Sequence, residues 1–514
     1  MPELDTDQAG SYRELDSILA EHAGERGERV YVEDVGSDVR LTFAELDALT
    51  VRLGHFLAER GIATGDRVTV LSENCWELVV LFFGIQRYGA TVNPLNVEVH
   101  AKNVAQMLRD VSPRLVFWQR GIPPELAAVA RDSGAEVLAF DELFAALDRY
   151  PSRRPERRTG RPDDIGILDY TSGTTATPKG VCISHAAAFY MGRSLVERLG
   201  ITEADRILEY RALSWASPQC LALGPTIQTG ATLVLAPRFS RRRFFDWIRD
   251  HRVTIAAGVP TVVQMLLEQP LPITATEVPA LRFLTSSAAP LAAATERDFE
   301  RRYGIPIAQG CGMTEAGFMG MNPPDARRAG SIGPVVPYLD ARFVDEAGRL
   351  CPPGVGGELV VGGRQMASAY LADGGALEPI PQAAFPTGDV GHADADGYLY
   401  LTGRKKDVII RGGVNIAPME ITSVLLAHPA VAEAATIGIP DPLYGEAIVS
   451  FVVPRPGRPV TAEELGAHCR TRLSEFKLPK RIALLDALPR TDRGKLARDE
   501  LRALGTAMAA GSAR

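Results

Sequence analysis

The residues best suited to chemistry lie in one run, Tyr170-Thr171-Ser172-Gly173-Thr174-Thr175-Ala176-Thr177-Pro178-Lys179-Gly180-Val181. The apolar stretch Ile165 to Leu168 precedes it and Val181, Cys182 and Ile183 follow, a pattern of strand, loop and strand. Thr171, Ser172, Thr174, Thr175 and Thr177 bring five hydroxyls to the loop. Gly173 and Gly180 let backbone N–H groups converge, and Lys179 adds a positive charge. A concavity of N–H, O–H and ammonium groups suits a polyphosphate. It is not the Gly-Lys-Ser/Thr loop that opens a helix, because here the order is Pro-Lys-Gly and a strand follows.

Further groups follow in order. Gln309-Gly310-Cys311-Gly312-Met313-Thr314-Glu315 sets a carboxylate behind a glycine-rich strand, and Pro386-Thr387-Gly388-Asp389 supplies a second. Arg404 and Lys406 lie in Thr402-Gly403-Arg404-Lys405-Lys406-Asp407, and Lys495 closes Pro489-Arg490-Thr491-Asp492-Arg493-Gly494-Lys495. Taken together, these motifs resemble the adenylate-forming superfamily of acyl- and aryl-CoA synthetases, luciferases and peptide-synthetase adenylation domains. The pattern is closest to the acid–CoA ligases. Five motifs in family order span residues 170 to 495, and weaker matches reach back to about residue 41.

The resemblance implies roles. Thr171, Ser172, Gly173, Thr174, Thr175 and Lys179 would cradle the phosphates of ATP, and small residues around Ala288 would lie against adenine together with Gly310, Cys311, Gly312 and Met313. Thr314 would bond the phosphoryl group, and Glu315 would hold Mg2+ on the phosphates, offsetting charge at the reacting centre. Asp389 would accept the ribose hydroxyls, and Arg404 would touch ribose or phosphate. Lys495 would reach the carboxylate and the α-phosphate as charge develops. Trp215, Ser217 and Gly310 would border the acid pocket, although core packing explains Trp215 equally well. Lys406 stands at the family's hinge, and Gly412-Gly413 would line a CoA tunnel or simply form a tight turn. Two departures stand out: Cys311 replaces the usual adenine-stacking aromatic, and no His occurs near Trp215.

The elements that must position these groups alternate strand and helix. Thr42 caps a helix with Glu45 in the capping-box position, Val68 to Leu71 is a strand, and Trp76 to Tyr88 is a buried helix. That alternation implies parallel sheets covered on both faces. Ser184 caps a helix over 184–199, and Ser240 is expected to cap another that starts at Arg241-Arg242-Arg243. The fold expected is α/β, with a large N-terminal domain of layered α/β subdomains over 1–404 and a small mobile C-terminal α+β domain over 405–514. In the small domain Gly438-Ile439-Pro440-Asp441 reads as a turn, and the tail from Thr506 as frayed.

Composition bounds the partners. The chain has 514 residues, 46% hydrophobic and 23% charged, with a net charge of −7, which argues against a nucleic acid held on a basic face. Cys75, Cys182, Cys220, Cys311, Cys351 and Cys469 are scattered without metal-ligand spacing and read as reduced thiols. The polar N-terminus and the short apolar runs predict no signal peptide and no membrane span, hence a cytoplasmic protein. The expected activity is ATP-dependent conversion of a small acid to an adenylate, with release of pyrophosphate and transfer to CoA. The alternative is a specialised-metabolism enzyme with an amine or carrier-protein acceptor, including nitrite activation to diazotise an aryl amine. The oligomeric state stays open, a homodimer included.

Overall fold

The computed structural model describes residues 11–154, 160–171, 178–490 and 496–511. Ser172, Gly173, Thr174 and Thr175 of the phosphate loop, and Lys495, lie outside the described residues. Two eight-stranded sheets dominate the large domain. The first runs through Gly317–Met321, Ile307–Met313, Phe283–Ser286, Ile255–Ala256, Arg206–Glu209, Thr232–Leu235, Val30–Asp34 and Val39–Thr42. Its six inner strands are parallel and both edge strands antiparallel. The second orders Leu377–Pro379, Ala369–Leu371, Gly180–Ser184, Ile165–Tyr170, Thr91–Asn96, Arg67–Ser72, Leu115–Trp118 and Glu136–Ala139.

The helix Trp76–Tyr88 joins the two sheets, since it packs against Val30–Asp34 of the first and Arg67–Ser72 of the second. That position explains its composition: every residue from Leu78 to Tyr88 is buried, and Gly89 ends the helix at φ 93°. On its outer side lies the helix Phe43–Glu59, opened by the expected capping box, with Thr42 Oγ1 accepting from the Glu45 amide at 3.2 Å.

A four-stranded antiparallel sheet, Leu339–Val344, Gly357–Gly363, Phe385–Ala393 and Leu399–Arg404, carries the chain to the end of the large domain. The smaller C-terminal domain has its own sheet of Val414–Ile416, Ile409–Arg411, Gly445–Pro454 and Val431–Asp441, with Arg481–Leu484 parallel on Gly445–Pro454. Its helices Pro418–Leu426 and Ala462–Arg470 cover one hydrophobic cluster, and Arg498–Gly511 covers another. Buried clusters in the described residues divide cleanly: three take members up to Leu399, and two take members from Ile409 onward.

Three local expectations are corrected. Gly438–Asp441 is the end of a strand, and the turn falls after it, where Asp441 Oδ1 accepts from the Leu443 and Tyr444 amides at 3.0 Å. The tail is helical through Gly511 because Leu501 is buried and Gly505 lies against Ile437 and Ile439. Ser240 caps nothing with its side chain; the helix begins later, as Phe244–Asp250, with the Ser240 carbonyl accepting from Phe244 at 2.8 Å. Among the described residues no cysteine forms a disulfide. Among the described residues no helix is long and apolar enough to cross a membrane.

Candidate functional site

In a parallel sheet the carboxyl ends of the strands leave backbone groups and loops free to meet a ligand. Here Arg206–Glu209, Phe283–Ser286 and Ile307–Met313 share one direction, and each ends in a segment singled out by the sequence. Glu209 leads to Trp215 and Ser217, Ser286 to Ala288, and Met313 to Thr314 and Glu315.

The last of these is a hairpin. Thr314, Glu315 and Ala316 form its tip, closed by the Met313–Gly317 pair. Gly317 takes φ 62°, the left-handed residue that a three-residue hairpin of this kind requires. Gly310 and Gly312 are glycine for close strand approach: a Cβ at Gly310 would lie 2.9 Å from the Gly320 carbonyl oxygen, and one at Gly312 would lie 2.5 Å from the Gly317 carbonyl oxygen. Cys311 and Met313 are half-buried and pack against the main core.

Glu315 is buried, and its Oε1 accepts from the Tyr370 hydroxyl at 2.8 Å. Tyr370 lies on Ala369–Leu371, which pairs with Gly180–Ser184 and so stands beside the phosphate-loop exit. Lys179 Nζ sits 5.3 Å above the Tyr370 ring, within cation–π range. Burial, with the negative Glu315 beside it, pushes the Tyr370 phenol up, so that it stays a donor. Lys179, Tyr370 and Glu315 therefore form one row joining the two sheets. The loop is cinched at its base, where the Thr171 amide donates to the Lys179 carbonyl at 2.9 Å and the Lys179 amide to Thr171 Oγ1 at 3.2 Å.

Tyr370 was not legible as a site residue, since Ala-Tyr-Leu reads as ordinary strand. Asn74 was also missed. Its Nδ2 donates to the Arg211 and Ala236 carbonyls at 2.8 and 3.1 Å, and its Oδ1 accepts from the Leu213 amide at 2.9 Å. The carboxamide thus fixes the segment that delivers Trp215. Trp215 is half-buried and precedes the short helix Ala216–Pro218, which runs into a π turn over Gln219–Leu223. Such turns recur at functional sites because they re-aim side chains. Ala288 is exposed and holds φ 72°, a strained value for a residue with a Cβ.

Asp389 and Arg404 face each other in register on the antiparallel sheet, with Arg404 Nε donating to Asp389 Oδ1 at 2.9 Å. Asp389 is buried and Arg404 half exposed. Thr387 fixes the turn before Asp389 by accepting from its amide at 3.0 Å and donating to the Leu359 carbonyl at 2.8 Å. Lys406 occupies the short turn Lys405–Asp407 between the two domains, flanked by Lys405 bonded to Glu358 at 2.7 Å and Asp407 paired with Arg498 at 3.3 Å. Gly412 and Gly413 have φ 58° and 80° and form the two-residue loop between Ile409–Arg411 and Val414–Ile416. The tight turn foreseen as an alternative is therefore present, as a hairpin of the type that demands left-handed residues. The ends of the lysine loop meet as well, with Arg490 bridged to Leu496.

Among the described residues no three His, Cys, Asp or Glu side chains gather as a metal site. One carboxylate beside a phosphate loop fits a magnesium ion that arrives on a nucleotide, because Mg2+ is commonly held by one or two carboxylates plus substrate phosphates.

Comparison with known proteins gives the family. AMP-binding enzyme matches residues 19–371, and AMP-binding enzyme C-terminal domain matches residues 420–495. The indoleacetate–CoA ligase of Aromatoleum aromaticum is 33% identical over 504 residues, covering 96% of this chain and 98% of the relative. The sulfoacetate–CoA ligase of Cupriavidus necator is 34% identical over 503 residues, covering 95% and 97%. The structure of O-succinylbenzoate coenzyme A synthetase from Bacillus subtilis, in complex with ATP and magnesium ion, superimposes with a TM-score of 0.81 at 29% identity. It covers 94% of this chain and 98% of that one. With both domains matched along almost the whole length, the chain belongs to the AMP-binding, adenylate-forming enzymes, as a ligase close to the acid–CoA ligases.

Proposed function

We propose that the protein is an acid–CoA ligase: it joins a small organic acid to AMP at the expense of ATP, releases pyrophosphate, and passes the acyl group to the CoA thiol with release of AMP. The observation that carries this reading is the row Lys179–Tyr370–Glu315, which sets a cation and an oriented carboxylate beside the base of the phosphate loop. The first step is in-line attack of the acid's carboxylate oxygen on the α-phosphorus; that P–O bond forms as the bond to pyrophosphate breaks. No protein nucleophile is required, so the chain's work is positioning and charge stabilisation.

In this scheme the loop hydroxyls and amides, with Lys179, bind the phosphates, and Thr314 donates to the phosphoryl oxygens. Glu315, its Oε1 fixed by Tyr370, would hold Mg2+, which would supply charge neutralisation at the phosphates. Ala288 and the strand Gly310–Met313 flank the adenine, Cys311 offering a smaller contact than an aromatic ring. Asp389 orients the ribose, and Arg404, already bonded to Asp389, steadies that carboxylate and reaches toward the phosphates. Lys495 supplies the positive charge of the first step. Residues 1–404 then act as the binding domain and 405–514 as a lid that turns about Lys406 to admit CoA past Gly412 and Gly413.

ATP–pyrophosphate exchange, run with aryl, short-chain and long-chain acids and with nitrite, followed by addition of CoA, tests the proposal. Exchange with an acid followed by a CoA-dependent thioester is the expected result. Exchange with nitrite alone, or with an acid that yields no thioester, would overturn it in favour of an amine or carrier acceptor.

A further inference from the structure

The strand end at Glu209 carries a buried ion pair that the adenylation scheme does not use. Arg211 Nε donates to Glu209 Oε1 at 2.9 Å and Nη2 to Oε2 at 2.6 Å, a two-pronged pair in which both side chains are almost fully buried. Replacing a buried pair with apolar side chains is often neutral or stabilising, so this one needs an explanation other than stability. Its remaining arm supplies one. Arg211 Nη1 donates to Ser217 Oγ at 2.9 Å and to Ser287 Oγ at 3.0 Å, and the two hydroxyl oxygens lie 3.2 Å apart.

A proton count fixes what this cluster can bind. Arginine only donates, so both serines are acceptors toward it and keep their own protons to give. Ser287 is fully buried and Ser217 half-buried. Among the described residues the buried Ser287 hydroxyl has only Arg211 and Ser217 as partners, so its proton goes to Ser217 Oγ; Ser217 Oγ then accepts from both, and its own proton points away from them. Among the described residues it has no other partner. Ser217 sits on the short helix that packs against Ile307–Met313 and Gly317–Met321. Ser287 lies one residue beyond the Ser286–Gln309 pair, level with Gly310. The free donor therefore stands beside Gly310, at the strand ends that the sequence resemblance makes the border of the acid pocket. Because Glu209 cancels the charge of Arg211, the site offers a hydrogen bond and no net charge.

We infer that Ser217, held by Arg211 and Ser287, is a specificity residue donating a hydrogen bond to a neutral oxygen of the acid. The substrate is thus an oxygen-bearing acid (hydroxy, alkoxy or oxo) and not a plain hydrocarbon acid or a dianion. This rests on the proposed ligase reading.

The test compares kcat/KM in pyrophosphate exchange for matched acids: an alkoxy acid and its methylene isostere, a hydroxy acid and its methyl analogue, and a dicarboxylate of equal length. The wild type prefers the oxygen member of each pair. Ser217→Ala and Ser287→Ala each narrow that ratio about tenfold, the worth of one hydrogen bond, mostly through KM for the acid. Ser217→Thr, which keeps the hydroxyl, restores the ratio, as a purely structural role would not require. A wild type that favours the methylene or dicarboxylate member, or a ratio unmoved by Ser217→Ala, overturns the inference while leaving the ligase reading intact. Absence of exchange with every acid overturns the ligase reading itself.

Discussion

At the residue scale the site is held by a few groups whose partners decide what they can do. Glu315 is oriented by the Tyr370 hydroxyl, whose hydrogen-bond partner is a carboxylate, so losing it removes a charge-assisted bond. Tyr370→Phe should lower pyrophosphate exchange about tenfold and raise the Mg2+ concentration needed for half-maximal rate, as loss of an outer partner usually does. A titration of rate against Mg2+ checks this; an unchanged midpoint would leave Tyr370 a packing residue. In the proposed scheme Lys495 serves the first step alone. Lys495→Ala should cut adenylate formation roughly a hundredfold or more, the effect of losing one transition-state donor. Thioester formation from supplied acyl-adenylate should persist, and loss of both steps would contradict the division of labour. Lys495 and Glu315 were legible as candidates because each lies in a motif; Tyr370 was not, since its role comes from a strand pairing nearly two hundred residues away from the phosphate loop that it adjoins.

At the element scale the strand Ile165–Tyr170 carries a cost. Asp169 on that strand is buried, and burial pushes its carboxyl up to about 7, against the opposing bond from Gln219 Nε2 at 3.0 Å. Its Oδ2 has no partner among the described residues. Between the ordinary carboxylate value and about 7 the folded state holds more protons than the unfolded state. Stability linked to Asp169 is therefore full below that window and is lost as pH rises through it. Asp169→Asn keeps the Gln219 bond and removes the charge. It should match the wild type in thermal midpoint near pH 4 and exceed it by several degrees at pH 8. Equal midpoints at pH 8 would show that Asp169 ionises without cost.

The same scale shows why helix and strand boundaries were readable. Thr42 and Glu45 formed the capping box foreseen, and the apolar run from Trp76 to Tyr88 became a buried helix. The tail misled because alanine and glycine give no apolar stripe of their own. Its helix is fixed by Leu501 and by Gly505 lying against Ile437 and Ile439.

At the scale of the whole molecule, two bodies with separate cores meet at Lys405–Asp407. A hinge needs only a residue or two able to change backbone angles. Lys406→Pro, which fixes φ, should leave pyrophosphate exchange near wild type and reduce thioester formation at least about tenfold if rotation gates the second step. Separate assays of the two half-reactions check it, and an unimpaired overall rate would remove Lys406 from the hinge.

The sequence alone determined the fold class and the family, because backbone-shaping residues and charges recur in local motifs: the Thr171–Gly180 loop, Gly310–Glu315, Thr387–Asp389 and Gly403–Arg404. Local spacing encodes local geometry, and these motifs are short enough to be read along the chain. Only the tertiary structure decided which motifs touch. It set Tyr370 between Lys179 and Glu315, put Asn74 under the Trp215 segment, and joined Arg211 to Ser217 and Ser287. Those contacts arise from sheet order and from packing between strand ends far apart in the chain, and neither residue spacing nor hydrophobic periodicity carries that information.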